Sequence, residues 1–210
     1  PFNRAQRAWA ARASKSLDST IAFGSTKPLN RPGDIFFLNS AYPPTKPEID
    51  AHCQAPVIFG EGHVAHPFAT HAFFNISAMS YGALSGPAIS ALSAGAQQSG
   101  IWLNTGEGGL APFHQAAACD LVFQIGTAKY GVRDEVGNLD SHKVAELAAI
   151  PEVRMFEIKL SQGAKPGKGG ILPGEKVTAL IASTRGISQG HDSISPNRHP
   201  EVTDAGSLLD

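Results

Sequence analysis

The chain has 210 residues, enough for one large domain or two small ones, and its formal net charge of -1 carries no basic stripe of the kind that nucleic acid requires. Cys53 and Cys119 stand far apart without CxxC spacing, so no disulfide framework and no cysteine-ligated zinc or iron-sulfur site is written here, and a cytoplasmic location fits best. No apolar run reaches the length of a membrane span and no signal peptide is visible; the start at Pro1 and the stop at Asp210 read as a fragment of something longer.

Phe2 to Ser16 sets Arg4, Arg7, Arg12 and Lys15 around Phe2, Trp9 and several alanines, the pattern of a basic amphipathic helix. Packing of its aromatic face on protein is favoured over a membrane surface. From Gly24 to Pro67 recurrent prolines leave only short apolar runs, so residues 1–72 form a helix followed by an irregular arm. His52, His63, His66 and His71 crowd the end of this arm. With no helix to align His63 and His66 and no carboxylate pair nearby, no metal site is assigned.

From Phe73 onward short apolar strands alternate with amphipathic helices. Phe74 to Met79 is strand-like; Ser85, Pro87 and Gly100 bracket a helix bearing Ile89, Leu92 and Ala96. Ile101 to Thr105 and Leu121 to Thr127 are predicted strands, and Ser141 to Ile150 a helix capped by Ser141 and stopped by Pro151. Met155 to Ser161 alternates, with Phe156, Ile158 and Leu160 opposite Glu157, Lys159 and Ser161. Val177, Leu180, Ile181 and Thr184 mark another helix, and Asp192 to Ser195 a further strand. This rhythm over residues 73–210 predicts an α/β domain with a parallel sheet or barrel.

Four strand ends share small or polar residues running into glycine: Ser77 to Gly82, Asn104 to Gly109, Gln124 to Gly126, and Lys159 to Gly170. In a parallel α/β domain such C-terminal ends form one cleft. The lysine- and glycine-rich Lys159 to Gly174 fails the P-loop pattern, because Lys168 stands where its second glycine belongs. Gly106-x-Gly108-x-x-Ala111 matches a dinucleotide fingerprint only formally, since Pro112 follows at once. Lys159 suits stabilisation of a developing anion, with amides such as Asn104 and Gln124 beside it. A reduced flavin is one such anion. Arg185 suits a bidentate carboxylate grip or, equally, a solvated helix end. Glu107 reads as an acid, a gate or a turn residue.

Three of these stretches carry a resemblance. Ser77-Ala78-Met79-Ser80-Tyr81-Gly82-Ala83-Leu84-Ser85, Asn104-Thr105-Gly106-Glu107-Gly108-Gly109 and Lys159-x-x-Gln162-Gly163-Ala164-Lys165-Pro166-Gly167-x-Gly169-Gly170-x-Leu172-Pro173-Gly174 resemble, in the same order, the FMN-binding domain of glutamate synthase. Gln124 with Lys129-Tyr130-Gly131-Val132, and Ile194-Ser195-Pro196, resemble its next blocks, and the N-terminal arm is similar to that of stand-alone FMN-binding glutamate synthase-like proteins.

The resemblance implies a (β/α)8 TIM barrel with FMN at its C-terminal mouth. It implies an oxidoreductase that reduces a 2-imino acid to an L-amino acid such as glutamate, or runs the reverse oxidation. By position, Ser77, Ala78, Met79, Ser80, Asn104, Thr105, Gln124 and Lys159 would contact the flavin. Lys165, Arg185 and Gln162 would face a 2-oxo or imino acid, and Glu107 corresponds to the family's coupling glutamate; Lys159, Lys165 and Glu107 form the catalytic set. Ile171 replaces the family's usual glutamine.

Phe74 to Asp210 is about half the length of a whole barrel. The FMN phosphate site and the iron-sulfur cysteines are therefore expected outside these residues, and the chain alone is expected to bind FMN poorly. The electron donor is not written in the sequence. Two other functions stay open: a non-catalytic half-barrel acting through self-association or partner binding, and a lyase or aldolase using Lys159 as a Schiff base.

Overall fold

The computed structural model describes residues 3–15, 42, 56–161 and 169–209. Its contacts divide the chain into two units, Pro1–Ala51 and His52–Asp210. In the first, helix α1 (Arg4–Ala13) begins where Asn3 and Gln6 exchange hydrogen bonds: Gln6 N–H donates to Asn3 Oδ1 and Asn3 N–H to Gln6 Oε1, both at 2.9 Å. This reciprocal cap satisfies two of the amides that a helix start leaves without partners. Trp9 on this helix is 47% exposed.

The second unit opens with a hairpin of β1 (Val57–Phe59) and β2 (Phe68–Thr70), antiparallel with Phe59 opposite Phe68. Phe59 meets Trp102 edge-on and Phe68 meets it at a tilt, which anchors the hairpin to the start of the parallel sheet. His63 and His66, in the hairpin loop, and His71 after it are all exposed; His52 lies outside the described residues.

Beyond the hairpin the predicted βα rhythm holds. The sheet orders β3 (Leu103–Asn104), β4 (Leu121–Ile125) and β5 (Val153–Ile158) side by side, all parallel. The Phe74 to Met79 segment joins it through a single parallel bridge from Ile76 to Leu103, so this strand is one residue rather than six. Between the strands lie α2 (Gly86–Ser99) and α3 (Ser141–Ala148). Ser85 caps α2 as predicted, accepting from Ala88 N–H at 3.4 Å, and Gly100 ends it in the left-handed conformation, φ 62°. The cap of α3 is Asp140 rather than Ser141: its carboxylate accepts from the amides of His142 and Lys143, which puts Ser141 inside the first turn.

β4 is buried along its whole length, Gln124 included, as befits a central strand covered on both faces. Ile89 and Ala96 of α2 pack with Leu103, Cys119 and Leu121 in one cluster. In a second, Val144, Leu147 and Ile150 pack against Phe123, Ile125, Val132 and Val153. β5 begins at Val153, two residues before the alternation in the sequence, and its Phe156 and Ile158 remain 37% and 48% exposed.

The last predicted strand is corrected. Ser193–Ile194 (β7) does not extend the parallel sheet; it pairs antiparallel with β6 (Ile171–Leu172). The chain after β5 returns as β6 and takes the pairing that β7 was expected to give the sheet. Between β6 and β7, α4 (Ala179–Arg185) is capped by Thr178 and buries Ile181 and Ala182 against Val177, with Leu172 and Tyr81 alongside. A short helix, α5 (Gly206–Leu209), ends the described chain. Among the described residues no helix is long and apolar enough to cross a membrane.

Candidate functional site

Parallel strands present their C-terminal ends on one side, and here they carry the polar residues singled out in the sequence. Asn104 ends β3 and is only 4% exposed, so both faces of its amide need partners. Its Oδ1 accepts from Gly106 N–H at 2.9 Å, and its Nδ2 donates to Glu157 Oε1 at 3.0 Å. Gln124, on β4 and 6% exposed, donates from Nε2 to the same Glu157 oxygen. One carboxylate of β5 thus gathers the side chains of β3 and β4, and such charge-assisted bonds are stronger than neutral ones. Gln124 Oε1 is left buried without a partner. Thr105, fully buried, accepts from Gln124 N–H at 3.1 Å, and Met79 N–H donates to Asn104 O at 3.1 Å, which docks the Ser77 to Ser80 segment on β3. Within that segment Ser77 and Ala78 are exposed while Met79 and Ser80 are half-buried.

Lys159 follows β5 and continues its ladder, donating its amide to Ile125 O at 2.9 Å. Its Nζ lies 3.3 Å from Glu107 Oε2, both side chains partly buried, so the glycine-rich loop after β3 returns a carboxylate to the end of β5. Gly126 makes that return possible: a Cβ there would stand 2.5 Å from Glu107 Cβ. Lys159 O in turn accepts from Nε2 of His199, a residue 4% exposed. His199 Nδ1 lies 3.7 Å from Glu201, and Glu201 is bound at 2.8 Å by Lys129 Nζ. Burial pushes the Glu201 carboxyl up, but the hydrogen bond and charge of Lys129, with a backbone amide and His199, hold it below the usual carboxylate range.

Arg185 is not a solvated helix end, being 7% exposed. Nη1 donates to Ser193 Oγ at 2.9 Å, Nη2 donates to Tyr81 O at 3.3 Å, and the guanidinium lies 5.0 Å from the Tyr130 ring centroid. Ser193 Oγ donates to Tyr130 Oη at 2.8 Å. Nε is buried without a partner. Burial lowers the Arg185 pKa, opposed by Tyr130 and Glu107. Gln162 and Lys165 lie outside the described residues, and Ile171 is 56% exposed on β6.

The geometry therefore joins Met79, Asn104, Thr105 and Gln124 in one network with Glu157, pairs Lys159 with Glu107 at the end of β5, and brings Arg185 to Tyr81 just beyond Ser80. A family model described as a conserved region in glutamate synthase matches residues 42–210. The chain belongs to the glutamate synthase family. A glutamate synthase large subunit-like protein of Bacillus subtilis is 30% identical over an alignment that covers 100% of this chain and 46% of that protein. Archaeal glutamate synthases [NADPH] of Methanocaldococcus jannaschii and Archaeoglobus fulgidus are 39% and 43% identical, over 60% and 57% of this chain and 22% and 21% of their own. The chain thus spans less than half the length of these relatives.

For a glutamate synthase family member, the residues not assigned to the site from sequence are Glu157, His114, His199 and Ser193. Glu157 was open to sequence reasoning, because the alternation of β5 sets it on the same face as Lys159. The two histidines and Ser193 carry no such signal, since their partners are backbone carbonyls or distant side chains.

Proposed function

We propose that residues 56–209 form the flavin-bearing part of a glutamate synthase-type oxidoreductase acting on a 2-oxo or 2-imino acid. The single observation that carries this reading is the unpartnered, buried Gln124 Oε1 on β4, whose parallel neighbour β5 ends at the Lys159–Glu107 pair: an unsatisfied acceptor and a cation stand at the C-terminal ends of adjacent strands. A buried carbonyl oxygen without a donor is costly in a native fold, and a ligand N–H would satisfy it. The donor set fits an isoalloxazine ring, which offers an N–H beside carbonyl oxygens and develops negative charge on reduction. Bound FMN would supply the electron-pair relay between a reductant, NADPH by the names of two relatives, and the imino acid.

The chain's own residues have separable tasks in this reading. Asn104 and Gln124, fixed by Glu157, orient the ring; Lys159 balances charge at its edge; Glu107 holds Lys159 in place. Arg185, whose buried guanidinium keeps Nε in hand, receives the substrate carboxylate, together with Lys165 and Gln162 of the glycine-rich loop. The parallel β3–β4–β5 layout is that of consecutive strands in a (β/α)8 barrel, which is the architecture we propose for the domain. Two cysteines fall short of the four thiolates of an all-cysteine iron-sulfur cluster, and no step is assigned to one.

Titration of the purified chain with FMN and with riboflavin, read by quenching of flavin fluorescence, tests the assignment. Weak but saturable binding of both, as expected of a chain without the phosphate site, and weaker still in Gln124→Leu and Lys159→Met, is the expected outcome. Absence of saturable quenching by either flavin, or equal affinity in all three proteins, refutes it.

A further inference from the structure

His114 is fully buried, and neither ring nitrogen is idle. Nδ1 accepts from Ala111 N–H at 3.1 Å, and Nε2 lies 2.8 Å from Met79 O. An amide can only donate and a carbonyl can only accept, so the two partners together select one state: neutral imidazole with its proton on Nε2. The residue's own carbonyl is held by Ser93 Oγ at 2.8 Å, from the buried face of α2. The ring is therefore fixed from the helix side and reaches two loops at the strand ends.

Each contact fixes more than one atom, because a peptide unit is planar and trans. Holding Met79 O toward the ring turns Ser80 N–H to the opposite side, where the Gly106 loop passes: a Cβ on Gly106 would come within 2.7 Å of Ser80 N. Holding Ala111 N–H likewise sets the Leu110–Ala111 peptide, which follows Glu107 by way of Gly108 and Gly109. We propose that His114 is a positioning residue for the candidate site: as the neutral Nε2–H tautomer it fixes the Met79–Ser80 and Leu110–Ala111 peptides. Through them it sets the Ser80 amide and the loop that carries Glu107. Its consequence for flavin binding rests on the function proposed above; its structural role does not.

Three readouts decide the matter. In the unliganded chain, nitrogen-15 NMR of the His114 ring at neutral pH is expected to show Nε2 protonated and Nδ1 bare; the opposite tautomer or an imidazolium overturns the proposal whether or not any variant folds. His114→Phe keeps the volume without the polar contacts, and amide exchange at 106–111 is expected to accelerate by about tenfold or more while β4 amides stay protected. His114→Gln, with one donor and one acceptor on a planar head, is expected to restore much of that protection. Uniform acceleration across β4 and the loop, or no rescue by glutamine, assigns His114 to general packing and refutes the idea. FMN affinity is expected to follow the same order, wild type above Gln above Phe. Failure of the wild type to bind FMN rejects the proposed function alone, while FMN binding that is equal in all three overturns the positioning role.

Discussion

Replacing Glu157 tests the network from its centre. Glu157 Oε1 accepts from Asn104 Nδ2 and Gln124 Nε2, two donors on residues 4% and 6% exposed. In Glu157→Leu both lose their acceptor. A buried polar group left unsatisfied costs about 1–3 kcal/mol, so the pair together predicts a loss of about 2–6 kcal/mol, a large part of a typical stability of ~5–15 kcal/mol. Glu157→Gln keeps an oxygen in place and removes only the charge, so its loss should be about 0.5–1.5 kcal/mol. Urea unfolding followed by Trp102 fluorescence gives both numbers, provided the slope with urea is unchanged. A double-mutant cycle with Asn104→Ala then isolates the pairwise term. A Glu157→Leu protein within 0.5 kcal/mol of wild type, or a Gln variant as damaged as Leu, would refute the claim that this carboxylate organises the strand ends.

Three further outcomes are expected. Gly109 has φ 85° and a Cβ there would lie 2.4 Å from Thr184 O, so Gly109→Ala should lose about 2 kcal/mol or more in the same urea assay, whereas Gly95→Ala, on α2 with open space at its Cβ, should lose nothing. Burial lowers the His114 pKa below its ordinary 6.5, against the raising effect of the Met79 carbonyl. The unfolded chain therefore takes up a proton that the folded chain refuses; this contribution is intact above about pH 6.5 and declines as pH falls toward the folded value, by at most about 1.4 kcal/mol per pH unit. Urea midpoints between about pH 7.5 and 5 should show that slope in wild type and less of it in His114→Gln. Finally, Lys159→Met should lower the two-electron potential of bound flavin by about 30–60 mV, measured by equilibration with a reference dye; an unchanged potential would remove Lys159 from the ring.

What the sequence disclosed depends on how local the signal is. Helix α2 was readable at both ends because Ser85, Pro87 and Gly100 act within a turn of themselves. β3 and β4 were readable as apolar runs and β5 from its alternation, and the parallel arrangement followed from the strand–helix rhythm of the whole segment. The antiparallel pairing of β6 with β7 was not, since nothing in Ser193–Ile194 records that Ile171–Leu172 would reach it first. The glycine-flanked ends of β3, β4 and β5 do lie side by side. The bonds that organise them cross between elements, from Asn104 to Glu157 and from His114 to Met79, and such pairings leave no periodicity to read. The exposure of Phe156 and Ile158 was equally hidden, because alternation tells which side chains share a face and not what covers it.

The wholly buried β4 carries a consequence for how this chain acquires its fold. Both of its neighbours are parallel, so each pairing must wait for a crossover to close, and parallel sheets are slow for that reason. The bonds that converge on Glu157 join residues 53 and 33 apart, while the caps of α2 and α3 join residues within three of each other. Loop-closure entropy orders such events from short to long. The helices and the β1–β2 hairpin can therefore form early, and the polar network at the strand ends is completed only once the sheet is in register. Its hydrogen bonds mark the finished fold, and their loss should be among the first events when the sheet opens.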